Sequence, residues 1–163
     1  MMSDRANEMV ACRDKDGNLQ EVPVEKLQFR PSVYGIVIRE GHVLLSPQWD
    51  GYDFPGGGMD IRERIEEALV REVKEETGLD VTPGPLVHLQ EDFYAATKGR
   101  FFHSICMWHI CTDPRGEIST EGFDEHEKEY AKAAQWVPIE SVDSLKFYNP
   151  VDSPSLIRLA VEM

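Results

Sequence analysis

The sequence predicts an α/β domain whose sheet is covered by helices, and three observations lead there. One helix with a defined start and stop lies in the middle of the chain, within residues 60–78. The strand candidates Val33 to Arg39 and His42 to Ser46 are near-continuous apolar runs rather than alternating ones, which suits a sheet buried on both faces. A second helix is expected at the C-terminal end, from Pro154 to Glu162. The chain has 163 residues, enough for one domain with a sizeable core, and no internal repeat, low-complexity segment or linker divides it. Residues 1–163 are therefore read as a single domain, with residues 1–30 as an N-terminal hairpin and connector.

Taken in order, Glu8 to Glu21 reads as a hairpin with Asp16-Gly17 at the turn. Asp14, Asp16, Asn18 and Glu25 have the spacing of a calcium loop, but Leu19 stands where that loop needs glycine and neither flank has a helical pattern. Val22 to Arg30 is a connector, because Pro23 argues against a central strand there. Pro31 then opens the strand Val33 to Arg39, Gly41 turns the chain into His42 to Ser46, and Tyr52 to Phe54 is a short extended segment.

Gly56-Gly57-Gly58 reads as a strand-to-helix turn able to bring backbone close to a phosphate. For the helix that follows, Asp60 is the expected N-cap with Glu63 in capping-box position, and Gly78 the C-terminal stop. Beyond it, Val81 starts a strand broken by Pro83-Gly84-Pro85, and Leu86 to Ala96 reads as another. Thr97 to Arg100 is a turn, and Phe101 to Thr112 a long buried strand carrying His103 and His109 on one face. Asp113 to Lys132 is a polar, acidic loop. Ala133 to Pro138 is a closing strand around Trp136, with a short helix over Ile139 to Leu145, and Ser153 is the expected cap of the terminal helix.

The central helix carries a contradiction. Ile65, Ala68, Leu69 and Val73 define a face that packs on a core, yet Glu72, Glu75 and Glu76 stand where that face continues. They also lie at the helix end where the macrodipole disfavours negative charge. At separations of roughly 6 Å and an effective dielectric of about 20, each pair repels by on the order of 2–3 kcal/mol. A solvated acidic face explains neither fact. A site for a hard divalent cation such as Mg²⁺, with oxygen ligands, explains both.

Gly57, five residues, Glu63, seven residues, then Arg71-Glu72-Val73-Lys74-Glu75-Glu76-Thr77-Gly78-Leu79 resembles the Nudix box at every fixed position. Asp60 and Arg62 depart from its commonest form at two looser positions. The resemblance implies an α/β/α sandwich with a central mixed sheet, and metal-dependent hydrolysis of a nucleoside diphosphate linked to another moiety: a dinucleoside polyphosphate, a nucleotide sugar such as ADP-ribose, or a nucleoside triphosphate.

It further implies Mg²⁺ (or Mn²⁺) held by Glu72, Glu75, Glu76 and the Gly56 carbonyl, with Arg71 and Glu63 orienting the carboxylates. The glycine loop, Gly57 and Gly58, would lie against substrate. Glu72 or Glu75 is a candidate base, and Glu125, Glu127 and Glu129 of the acidic loop are candidates for an extra ligand or base. Tyr94, sixteen residues beyond Gly78, has a spacing similar to a tyrosine of some dinucleoside-polyphosphate hydrolases. A homodimer is implied by the same resemblance. Two other uses of the fold are a nucleotide-binding or regulatory module without turnover and an isoprenoid diphosphate isomerase that needs a cysteine.

The formal net charge of −13 argues against nucleic acid as the main partner and is compatible with a small polyanion neutralised by metal. No apolar run is long enough to span a bilayer, and residues 1–10 lack a signal-peptide layout. Cys12, Cys106 and Cys111 show no metal spacing, with Cys106 and Cys111 expected on opposite faces of their strand. A cytoplasmic protein with free thiols is the expectation.

Overall fold

The computed structural model describes residues 8–163; the first seven residues, on which part of the leader reading rests, lie outside the described residues. The N-terminal hairpin forms as expected, from β1 (Met9–Arg13) and β2 (Leu19–Pro23), with the Asp14 carboxylate accepting the N–H groups of Asp16 and Asn18 across the turn. β3 (Leu27–Arg39) is longer than its apolar run, because residues 27–32 pair in register with β8 (Phe101–Arg115). Pro31 thus lies inside a strand rather than at its start, and its carbonyl still accepts the Met59 N–H at 2.9 Å. β4 (His42–Gln48) and β5 (Gly51–Asp53) follow.

The three glycines correct the sequence expectation. Gly56–Gly58 is not a loop but a short strand, β6, antiparallel to residues 32–34 of β3. The helix α1 then runs Ile65–Thr77, starting later than the Asp60–Glu63 pair suggests. That pair forms a turn ahead of the helix, in which the Glu63 carboxylate accepts the Asp60 N–H. Arg62 has a φ of +77°, a left-handed conformation that a helix cannot contain. The cap falls on Arg64, whose N–H donates to Glu67. At the other end Gly78 stops the helix as expected, with a φ of +82° and its N–H donated to the Lys74 carbonyl.

β7 (Asp80–Ala95) is one strand, not two. Pro83-Gly84-Pro85 is absorbed as register shifts in its antiparallel pairing with β8. β9 (Gln135–Pro138) pairs with β4, a 3-10 segment covers Ile139–Ser144, and α2 spans Ser153–Glu162. Its cap is Asp152, which accepts the Ser155 N–H; Ser153 instead turns its hydroxyl to Asn149. Among the described residues no helix is long and apolar enough to cross a membrane.

The sheet order is β2-β1-β7-β8-β3-β4-β5, with β6 also on β3 and β9 also on β4. It is mixed: β3 runs parallel to β8, and β1 touches β7 in parallel at Arg13 and Tyr94, while the other pairs are antiparallel. The strand period of two separates the faces. Val33 and Val37 pack with Met107, Cys111 and the α1 residues Ala68, Leu69 and Val73. Ile36 packs with Cys106, Trp108 and the α2 residues Leu156 and Ile157. Cys106 and Cys111 therefore do face opposite ways, and all three cysteines are free and buried. The result is an α/β/α layering with a mixed central sheet.

The contact of α1 with the sheet holds the carboxylate helix in place. Leu69, fully buried there, should cost about 2–5 kcal/mol of stability when replaced by Ala, read from urea unfolding.

Candidate active site

α1 turns its charged half toward β6, and Arg71 is the hub of what results. Its Nε and Nη2 donate to both Glu63 oxygens at 2.7 and 2.8 Å. Nη1 donates to Glu72 at 2.7 Å and to Glu75 at 3.3 Å, and Nη2 also reaches the Gly58 carbonyl at 3.2 Å. The guanidinium holds the Glu63 carboxyl below its usual range, and these hydrogen bonds raise the already high pKa of Arg71.

Glu72 is only 9% exposed. Burial pushes its pKa up, against the opposing pull of Arg71. Glu76 is driven well above the normal carboxylate range, first by burial and then by the charge of Glu72. It keeps two donors, the Ser46 hydroxyl at 3.0 Å and the Gly56 N–H at 3.3 Å. The glycines of β6 make room for this: a Cβ on Gly57 would lie 2.6 Å from a Glu72 oxygen, and one on Gly58 2.4 Å from the Arg30 guanidinium.

Two adjoining cavities meet at this point. An acidic groove of about 420 Å³ is lined by Asp60, Arg71, Glu72, Glu75, Asp124 and Glu127. A deeper aromatic pocket of about 220 Å³ includes Glu76, Gly56, Tyr34, Trp49, Tyr94 and Tyr130. Glu72, Glu127 and Arg30 line both. Of the acidic-loop candidates only Glu127 enters the cleft, and partial burial raises its pKa. Glu125 is exposed and paired with Lys128, and Glu129 faces Lys98 and His126. Neither histidine of β8 reaches the cleft: His103 pairs with Glu91, and His109 bonds the Gly84 carbonyl.

Tyr94 lines the pocket, with the Arg13 guanidinium 5.1 Å from its ring centre. Arg13 belongs to the hairpin and is fixed by both oxygens of Asp92 at 2.9 and 2.7 Å. Sequence patterns single out neither Arg13 nor Arg30, Asp53, Asn149 and the stacked pair Trp49–Tyr130, whose rings lie 4.6 Å apart. Their positions carry no local signal, since Arg30 lies between Gln28 and Ser32 in β3 and Asp53 ends the three-residue β5. Cys106 also lines the pocket, but burial pushes its thiol up to about 12, so it is not a nucleophile near neutral pH.

The groove is lined mainly by carboxylates, those of Asp60, Glu72, Glu75, Asp124 and Glu127, the oxygen ligands that a hard divalent cation takes. In chemistry they fit such an ion. Among the described residues, no three or more His, Cys, Asp or Glu side chains are gathered closely enough to hold one, since Glu72 and Glu75 turn to Arg71 instead.

The NUDIX domain model matches residues 28–159. The chain belongs to the NUDIX family. Among curated relatives it is 35% identical to a CTP pyrophosphohydrolase of Escherichia coli (strain K12) over 86 residues, 48% of this chain and 59% of that one. It is 46% identical to an RNA pyrophosphohydrolase of Xanthomonas campestris pv. campestris (strain B100) over 54 residues, 31% of this chain and 26% of that one. The chain thus spans between 26% and 59% of the length of such relatives. The mutator MutT protein structure from Bacillus halodurans superposes with a TM-score of 0.60 at 22% identity, covering 79% of this chain and 80% of that one. That likeness shows the shared fold.

Asp53 makes the fold sensitive to pH. Its carboxyl is part-buried, and desolvation raises its pKa from 3.8 to about 6. Between those values the folded state holds a proton that the unfolded state has lost, so stability falls as pH rises from about 4 to about 6. Asp53→Asn keeps the acceptor for Phe54 and Asn149 and removes the titration. The variant should match the native protein near pH 4 and exceed it by up to about 3 kcal/mol at pH 7.5, measured by urea unfolding at both pH values.

Proposed function

We propose that this cleft hydrolyses the diphosphate linkage of a nucleoside diphosphate bonded to another group. The observation that carries the reading is the meeting of acidic groove and aromatic pocket at Glu72, Glu127 and Arg30. A flat nucleoside suits the aromatic side, and a diphosphate suits the boundary. Arg30 has no ion-pair partner among the described residues and rests its guanidinium 5.1 Å from the Phe102 ring centre. It is positioned to take phosphoryl oxygens in a chain of net charge −13.

Glu72, Glu75 and Glu76, with the Gly56 carbonyl, would hold Mg²⁺ (or Mn²⁺). The chemistry supplied by that ion is neutralisation of the phosphoryl oxygens and activation of water. The protein's own part is to orient and to move a proton. Arg71 and Glu63 fix Glu72 and Glu75, and a carboxylate of Glu72, Glu75 or Glu127 accepts the proton of the attacking water. The burial that raises the pKa of Glu72 and Glu127 makes each a stronger base than an ordinary carboxylate.

The substrate class follows less narrowly. Dinucleoside polyphosphates, supported by the spacing and pocket position of Tyr94, stand beside nucleotide sugars such as ADP-ribose. The CTP and RNA pyrophosphohydrolase relatives bring nucleoside triphosphates such as CTP, and RNA, into the same set. The net charge of −13 favours the small molecules. A nucleotide-binding module without turnover has one observation in its favour, the engagement of Glu72 and Glu75 by Arg71.

Mg²⁺-dependent hydrolysis across a panel of these compounds separates the two readings. One compound should dominate, and Glu75→Gln should lower its kcat roughly 100-fold. Nucleotide binding with no turnover on any member would establish the module instead. Light scattering of the same preparation tests the proposed homodimer.

A further inference from the structure

The aromatic pocket contains a carboxyl group that phosphate chemistry does not use. Asp53 Oδ1 is saturated by the Phe54 N–H at 2.7 Å and the Asn149 amide at 2.8 Å. Oδ2 receives only a long 3.4 Å contact from Gln48. No cation pairs with Asp53 among the described residues. The nearest candidate, Arg13, is engaged by Asp92 and by the Tyr148 carbonyl. A part-buried carboxylate oxygen with open lone pairs, lining a pocket, is free to accept a hydrogen bond from whatever occupies it.

The group is also held rigidly. Asn149 is fixed in turn by the hydroxyl of buried Ser153, which donates to it at 2.7 Å. This clamp joins the end of β5 to the start of α2 and fixes the orientation of the Asp53 carboxyl. Gln48 shares the pocket and leaves its own amide oxygen without a donor among the described residues. The same pocket offers flat surfaces in Tyr34, which stacks on Trp108 at 5.2 Å, and in Trp49 on Tyr130. Aromatic faces of this kind hold a planar heterocycle with little regard to its identity, and its polar edge is then read by whatever groups face it.

We infer that Asp53, seconded by Gln48, reads the exocyclic amino group of the substrate's nucleobase, selecting adenine or cytosine over their keto counterparts hypoxanthine and uracil. An amino group donates to an open carboxylate oxygen. A keto oxygen at the same ring position sets acceptor against acceptor in a part-buried site, which rejects the wrong base by repulsion. The assignment deepens the proposed hydrolysis by naming the half of the substrate that the aromatic pocket takes. It rests on that reading for the reaction, not for the recognition.

The test is binding, which needs no turnover. Calorimetric titration of the full chain with AMP against IMP, and with CMP against UMP, should show at least one amino base bound roughly tenfold or more tightly than its keto partner. Asp53→Asn, which keeps Oδ1 in the clamp and puts an N–H donor in place of Oδ2, should abolish or reverse that preference, with thermal unfolding showing that the variant is folded. Gln48→Leu is the second variant should Asp53→Asn fail to fold; it keeps the Asp53–Asn149 clamp and should shrink the ratio as well.

Equal binding within both pairs by the native protein would overturn the inference. So would an amino preference unchanged in a folded Asp53→Asn variant, because a purely structural clamp is preserved by asparagine. A base preference with no hydrolysis of any panel compound would leave the recognition standing and remove the hydrolase reading. Hydrolysis without base preference would do the reverse.

Discussion

Arg71 spends nearly all of its donor capacity on one junction. It binds the turn ahead of α1 through Glu63, the helix itself through Glu72 and Glu75, and β6 through the Gly58 carbonyl. Three carboxylates this close repel one another, and the chain as a whole is acidic. A planar cation with several fixed donors satisfies them together in a way that the point charge of lysine does not. The charged half of the helix can therefore face inward only because this arginine lies among the acids. Turn, helix and glycine strand are thereby held at one mutual geometry, and the rest of the cleft is arranged around it.

Burial then divides the carboxylates. Glu63 is held ionised by its bidentate partner, whereas Glu72, Glu76 and Asp53 are all pushed upward by enclosure. Enclosed acids of this kind lower stability near neutral pH, and the fold tolerates them in one region, the cleft. Such local cost at a site whose surroundings are well packed is the usual signature of function rather than of folding. Cations within the same cleft, Arg13 and Arg30, come from the hairpin and from β3, far from the helix in sequence.

Much of the architecture was legible in the residues. The hairpin turn at Asp16-Gly17, the long strands, the stop at Gly78 and the opposite facing of Cys106 and Cys111 all follow from local rules. The misreadings share a cause. The Glu63 carboxylate does accept the Asp60 N–H, but the Glu63 N–H goes to the Asp60 backbone carbonyl, Glu63 is claimed by Arg71 and Arg62 adopts a left-handed backbone, so the motif closes a turn and not the helix. The three glycines look like a loop because nothing local shows that β3 offers them a pairing edge. Pro83 and Pro85 look like a break because a bulge can be recognised only from the partner strand.

The site divides in the same way. The sequence alone determined the family and the carboxylate cluster, because both reside in one contiguous stretch, residues 57–79, whose spacing is a local property. It determined also that Glu125, Glu127 and Glu129 lie in one acidic loop, but not which of them enters the cleft. Tertiary structure decided that, along with the meeting of groove and pocket and the joining of Asp53 to Asn149 across ninety-six positions. Contacts of that span are set by strand order and layer packing. They leave no periodicity in the chain to read.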